Sequence, residues 1–225
     1  MSPFIDHRSV QIAAGGATLA ADLSAPDGYR GIVIFAHGSG SGRHSPRNRA
    51  VAQALRRRGL ATLLADLLTR DEEAIDRVDA SLRFDIDLLG RRVVALVDWV
   101  RGARDLPARP IGLFGASTGA AAALVAAAAR PHDVLAVVSR GGRPDLAGAA
   151  LSNVTAPTLL IVGGLDTQVI ALNEQAKARM RGAVSLEIVP GASHLFEEPG
   201  TLDVVAARAG EWFVAHLAPA LRARG

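Results

Sequence analysis

The chain has 225 residues, 49% of them hydrophobic and 21% charged, with a formal net charge of +3 and no cysteine. That length and apolar content can bury a large core, so one domain over residues 1–225 is expected, and the missing cysteine excludes disulfides, thiolate metal sites and a cysteine nucleophile. Aromatic residues make up only 4% and the one compact basic run is Arg56-Arg57-Arg58, which is not the basic stripe with interleaved aromatics that nucleic-acid binding wants.

Residues Met1 to Gln11 carry Asp6, His7 and Arg8 in place of an apolar signal core, and no stretch offers an unbroken lipid-spanning run. A cytoplasmic protein with no membrane partner is therefore expected. Val10–Ala14 and Thr18–Leu23 alternate around Gly15-Gly16, which predicts a β-hairpin at a sheet edge. Gly31 to Ala36 is a continuous apolar run, the mark of a strand covered on both faces. It ends in His37-Gly38-Ser39-Gly40-Ser41-Gly42, a glycine-rich loop at a strand's carboxyl end, where α/β folds place their ligands. Ser45-Pro46 reads as an N-cap with proline at the first helical position, and that helix stops at Gly59. Leu60 to Asp66 is another buried strand.

Leu67 to Ser81 carries Asp71, Glu72, Glu73, Asp76 and Asp79 and is expected as a solvated loop arching over the active-site edge, in preference to a substrate-specific lid. Leu82, Ile86, Leu89, Val93, Leu96 and Val100 then fall on one helical stripe. Ile111 to Ala116 predicts a strand that passes through Ser117 into an alanine-rich helix. Strands follow at Val134–Ser139 and Pro157–Gly163, and the 140–156 connection between them is too short for a large cap domain. Val169–Met180 is helical, Val184–Val189 is a final strand, and Val205, Trp212, Phe213 and Leu217 stripe a closing helix. This alternation predicts an α/β fold: a mainly parallel sheet with helices on both faces.

Gly115-Ala116-Ser117-Thr118-Gly119 has the Gly-x-Ser-x-Gly pattern in a strand–turn–helix context. A serine at such a sharp turn projects its hydroxyl from the sheet, and the flanking glycines let helix and strands approach. A serine hydroxyl needs an adjacent base, held in the right tautomer by a third group. Of the six histidines, His194 in Pro190-Gly191-Ala192-Ser193-His194 follows the last strand, at the edge where Ser117 emerges. Asp166, just beyond the Leu159–Gly163 run, completes the order Ser, Asp, His that goes with this motif. Its competing role is to cap the helix near Val169, and Asp145 is the second candidate acid. Backbone N–H groups of Thr118 and Ser39 are the candidate oxyanion donors. The glycine-rich loop lacks the Gly-Lys-Ser/Thr ending of a nucleotide-binding P-loop.

Taken in order, His37-Gly38-Ser39-Gly40, Gly115 to Gly119, Gly164-Leu165-Asp166 and Gly191 to His194 resemble the α/β-hydrolase superfamily, and the compact size resembles its dienelactone-hydrolase-like branch. The resemblance runs from about Val10 to Leu217. It implies a single-domain α/β-hydrolase fold without a large cap domain, a Ser117–His194–Asp166 triad and an oxyanion hole at Ser39 and Thr118. The branch proper uses a cysteine nucleophile, where this chain has Ser117, and a glutamate near the first loop, where it has His37. The reading is a serine hydrolase cleaving small carboxylic esters, with no metal and no cofactor. A thioesterase or acyltransferase, or a non-catalytic ligand-sensing or interaction protein, are the alternatives, and a homo-oligomer is left open. His37, Arg43, Arg140 and Arg143 are candidate substrate-binding residues, with Arg47 beside them. Guanidinium groups there could clamp a carboxylate or phosphate, or pair structurally with Asp145, Asp66 or the acidic segment.

Overall fold

In the computed structural model, which describes residues 5–222, the first hairpin joins β1 (Ile5–Ala14) to β2 (Ala17–Pro26) antiparallel. Gly15 and Gly16 form its turn with φ of 57° and 89°, the left-handed pair that matches the twist of a two-residue hairpin. The short apolar runs become β3 (Ile32–Ala36), β4 (Ala61–Ala65), β5 (Ile111–Ala116), β6 (Val134–Arg140), β7 (Thr158–Gly163) and β8 (Val184–Val189). Together they form one eight-stranded sheet in the order β1-β2-β4-β3-β5-β6-β7-β8. From β4 to β8 all neighbours are parallel, and only β2 runs against them, antiparallel to both β1 and β4.

Because side chains alternate across a strand, each strand feeds two cores. Ile34, Leu63, Leu113 and Val137 pack under α3 (Ile86–Gly102) and α4 (Thr118–Ala129). Phe35, Phe114, Val138 and Ile161 pack on the other face under α1 (Pro46–Arg57) and α6 (Thr201–Arg222). α5 (Thr167–Arg179) follows β7. The 140–156 connection holds only 3-10 turns over Pro144–Asn153, so no cap domain rises there.

The acidic segment departs from expectation. Instead of a loop it forms α2 (Arg70–Asp79), started by a reciprocal cap in which Glu72 N–H donates to Thr69 Oγ1 and Thr69 N–H donates to Glu72 Oε2. Glu72 also accepts two hydrogen bonds from Arg92 on α3, at 2.6 and 2.5 Å. Asp76, 4% exposed, accepts the N–H groups of Leu82 and Arg83 and the Arg83 guanidinium. Glu72 and Asp76 are therefore the bolts of a helix, while Asp71 and Asp79 remain on its exposed face. The third helix also starts later than the apolar stripe predicts: Leu82–Phe84 is a 3-10 turn, and Asp85 caps α3 by accepting from Leu88 N–H at 2.8 Å.

Candidate active site

The site lies at the carboxyl edge of β3, β5, β6 and β7. Ser117 connects β5 to α4 with φ 50° and ψ −123°, a conformation that a residue with a β-carbon rarely adopts. The surrounding glycines are steric necessities. A β-carbon on Gly115 would lie 2.4 Å from Ala120 Cα, and one on Gly119 would lie 2.2 Å from the Ala36 carbonyl oxygen. Ser117 N–H donates to the Arg140 carbonyl at 3.3 Å, and the Ser117 carbonyl accepts from Arg143 N–H at 3.1 Å, which ties the turn to the end of β6.

The glycine-rich loop after β3 reaches the same point. A β-carbon on Gly38 would sit 2.9 Å from Ser117 Cβ, and Ser39 Oγ is 3.2 Å from Thr118 Oγ1. This brings the two residues expected as oxyanion donors side by side. His37, 7% exposed, lines the cavity beside these residues, but both of its ring nitrogens are engaged within the fold. Its Nε2 accepts from Leu67 N–H and its Nδ1 donates to the Gly38 carbonyl, both at 2.9 Å. Burial holds the ring's pKa below its ordinary value, so a neutral imidazole braces the loop against the segment after β4.

Asp166 occupies the N-cap position of α5 yet makes no side-chain capping bond. Its Oδ2 instead meets His194 Nδ1 at 2.6 Å. A carboxylate on Nδ1 assigns the proton to that nitrogen and leaves the Nε2 lone pair outward. The His194 loop can cross β7 because Gly163 has no side chain: a β-carbon there would lie 2.4 Å from the Ala192 carbonyl oxygen. Buried Phe196 and a bond from Ser193 N–H to Glu198 Oε2 at 3.0 Å hold the turn. His194 is hydrogen-bonded to Asp166 and not to Ser117. It overlies Gly141, where a β-carbon would be 2.8 Å from the His194 carbonyl oxygen, one residue past the strand end that binds Ser117. Asp145, the second candidate acid, is turned away, accepting two bonds from Arg143 at 2.9 and 2.8 Å.

A cavity of about 670 Å³ opens beside these donors, between the glycine-rich loop and α2; Gly38, Ser39 and Thr118 line it, whereas Ser117 and His194 do not. Arg43, Arg47, Arg70, Arg77 and Arg83 line it against Asp66, Glu73 and Asp76, so cations outnumber carboxylates. Several of the arginines singled out in the sequence are committed to the fold: Arg43 pairs with Asp66 and Asp22, Arg47 with Glu197, and Arg143 with Asp145. Among the described residues Arg140 pairs with no carboxylate. The sequence reading missed α2, for which Thr69-x-x-Glu72 was the available signal, and with it the bond between Glu72 and Arg92. Among the described residues no group of three or more histidine, aspartate or glutamate side chains is placed to hold a metal, and no helix is long and apolar enough to cross a membrane.

Comparison with known proteins agrees with this architecture. Residues 17–216 match the pattern of the dienelactone hydrolase family. A crystal structure of a dienelactone hydrolase from Anabaena variabilis superimposes with a TM-score of 0.92 at 56% identity, covering 95% of this chain and 99% of that one. Est1E from Butyrivibrio proteoclasticus, solved with ferulic acid bound, shares the fold with a TM-score of 0.76 at 18% identity over 92% of this chain and 98% of its own. Two Mycobacterium tuberculosis proteins provisionally named phosphoribosyl transferases are 55% identical over 215 residues, 96% of this chain. The chain spans 48% of their length, and their name describes proteins about twice its size. With the match covering most of the chain, and an α/β-hydrolase sheet beneath it, the chain belongs to the dienelactone hydrolase family.

Proposed function

We propose that this hydrolase cleaves small carboxylic esters through an acyl-enzyme on Ser117, in the cytoplasm. The observation that carries the reading is the Asp166 carboxylate, which stands at a helix N-cap and spends itself on His194 at 2.6 Å. An aspartate needed only for folding would cap the helix. In the proposed reaction the ester carbonyl enters from the cavity between the glycine-rich loop and α2. His194 Nε2 takes the proton of Ser117 Oγ as the oxygen attacks the acyl carbon, and Asp166 stabilises the imidazolium. The N–H groups of Ser39 and Thr118 receive the negative oxygen of the tetrahedral intermediate. The imidazolium then protonates the departing alkoxide. Water, deprotonated by His194, releases the acid and restores Ser117. A thioester or a transfer to another acceptor would use the same acyl-enzyme and differ only in the leaving or accepting group.

The test needs no knowledge of the substrate. Intact-mass measurement after treatment with a fluorophosphonate is expected to show one adduct on the wild type and none on Ser117→Ala, and a screen of esters and thioesters then fixes the leaving group. An unmodified, folded wild type would overturn the reading in favour of a binding protein on this fold.

A further inference from the structure

Arg140 ends β6 with its carbonyl bonded to Ser117 N–H. It shares a face of the sheet with Val138, the face covered by α1 and α6. The residue is 7% exposed. Its Nε and Nη1 are sealed from solvent without a hydrogen-bond partner. Nη2, the remaining nitrogen, has no hydrogen bond to any described residue. The electrostatics worsen its position: burial pushes the guanidinium down to about 10, and the charge acting on it is the like charge of Arg47 in the first turn of α1. A second polar group on this side is also unsatisfied. Asn48, 2% exposed and on the inward side of α1, has Oδ1 without a partner.

A buried guanidinium without a counter-charge is costly, and nothing in the fold repays the cost. Yet Arg43, Arg47 and Arg143 each found a carboxylate, so acids are not scarce at this edge. The planar fork of arginine matches an oxyanion that offers two oxygens side by side. We propose that Arg140 is an anion-binding subsite beside the nucleophile's turn, taking a carboxylate or phosphate group on the molecule that binds there. Its place in catalysis rests on the ester-hydrolase reading; its ability to bind an anion does not.

Two measurements separate the two. The first titrates Ser117→Ala with succinate and with inorganic phosphate and reads the thermal midpoint. A rise that disappears in Ser117→Ala/Arg140→Met supports the subsite, and the anion giving the larger rise names the group. No rise with either anion, or the same rise in both proteins, overturns it. Without anion, the Arg140→Met protein is expected to melt no lower than its parent, because an unpaired buried charge has been removed. A lower midpoint would mark a structural arginine and count against the proposal. The second measurement compares p-nitrophenyl hemisuccinate with p-nitrophenyl acetate. Arg140→Met is expected to raise KM for the acidic ester about 10- to 100-fold, as loss of hydrogen bonds to a charged group implies. The KM for the neutral ester is expected to change several-fold less than that for the acidic one. Arg140→Lys, which keeps the charge and loses the fork, should fall between; equal effects on both esters would overturn the subsite. If the wild type turns over neither ester, the hydrolase reading fails while the titration still decides the anion site.

Discussion

Replacing Ser117 by glycine should make the protein more stable while abolishing any serine chemistry. At φ 50° and ψ −123° the backbone holds a β-carbon where it is crowded, at a cost of about 1–3 kcal/mol. Glycine takes the same conformation freely. Against this, glycine gives the unfolded chain more freedom, which takes back about 0.4–1 kcal/mol. The net gain is about 0–2.6 kcal/mol, centred on about 1.3 kcal/mol, or up to about 10 °C in Tm for a chain of this size. Ser117→Ala is the control, since it removes the hydroxyl and keeps the β-carbon and therefore the strain. Calorimetry on the three proteins should place Ser117→Ala near the wild type and Ser117→Gly above both. A glycine variant no more stable than the alanine variant would refute the claim that the turn stores strain, and with it the reading of Ser117 as a forced, exposed position.

Two further outcomes follow from the polar bracing around the site. His37→Phe leaves the Leu67 N–H and the Gly38 carbonyl unpaired in the interior, at about 1–3 kcal/mol each, so urea unfolding should show a loss of that order. Because burial depresses the pKa of His37 below 6.5, the folded state favours the neutral ring. Its contribution is complete above pH 6.5 and is lost as pH falls toward the depressed value. Urea midpoints between pH 7.5 and 5 should therefore fall more steeply for the wild type than for His37→Asn, and parallel slopes would contradict the assignment. Glu72, held below the usual carboxylate range by Arg92, stabilises the fold above that range and stops doing so as pH falls through its lowered value. Glu72→Gln strands Arg92, 4% exposed, while Glu72 itself is 26% exposed. Solvent softens the loss to about 1–3 kcal/mol. Glu72→Met/Arg92→Met should recover most of it by thermal melting, and a double variant as weak as the single would show that the pair itself does the stabilising.

The faces of the sheet were legible because alternation is a local property of the chain. Phe114 and Leu113 had to point opposite ways once β5 was recognised. The elbow was legible for a similar reason, since Gly115 and Gly119 answer contacts made within a few residues or with the neighbouring strand. α2 was not legible from periodicity. Asp76 is its one buried residue, so there is no apolar stripe to find, and the helix is held by a reciprocal cap and by bonds to Arg83 and Arg92. Only Thr69-x-x-Glu72 announced it. At the site, Asp166 was placed by chain order, but its choice between capping α5 and orienting His194 depends on a contact across 28 residues. The arginines show the limit most clearly. Arg143 and Asp145 are neighbours in sequence, and their pairing was among the alternatives. Arg43 and Asp66 are 23 apart, and that Arg140 has no partner is a property of the packed molecule.

Three costly features of this fold lie close together. The strained Ser117, the unpaired guanidinium of Arg140 and the cation-rich cavity wall all gather at the carboxyl edge of the central strands, where Ser117 N–H bonds the Arg140 carbonyl. In much of the rest of the fold local and global preferences agree: apolar strands are covered on both faces, the starts of α1, α2 and α3 are capped, and Asp76 and Glu72 are satisfied. Cores tolerate such exceptions only when the surroundings over-determine them. Here the surroundings do, through glycines that admit no other residue and through His37, which braces the first loop from the opposite side. A fold selected for stability alone would place glycine at 117 and an apolar residue at 140. That both positions hold the costlier residue, within one backbone hydrogen bond of each other, is the physical case for treating Arg140 as part of the same functional unit as Ser117.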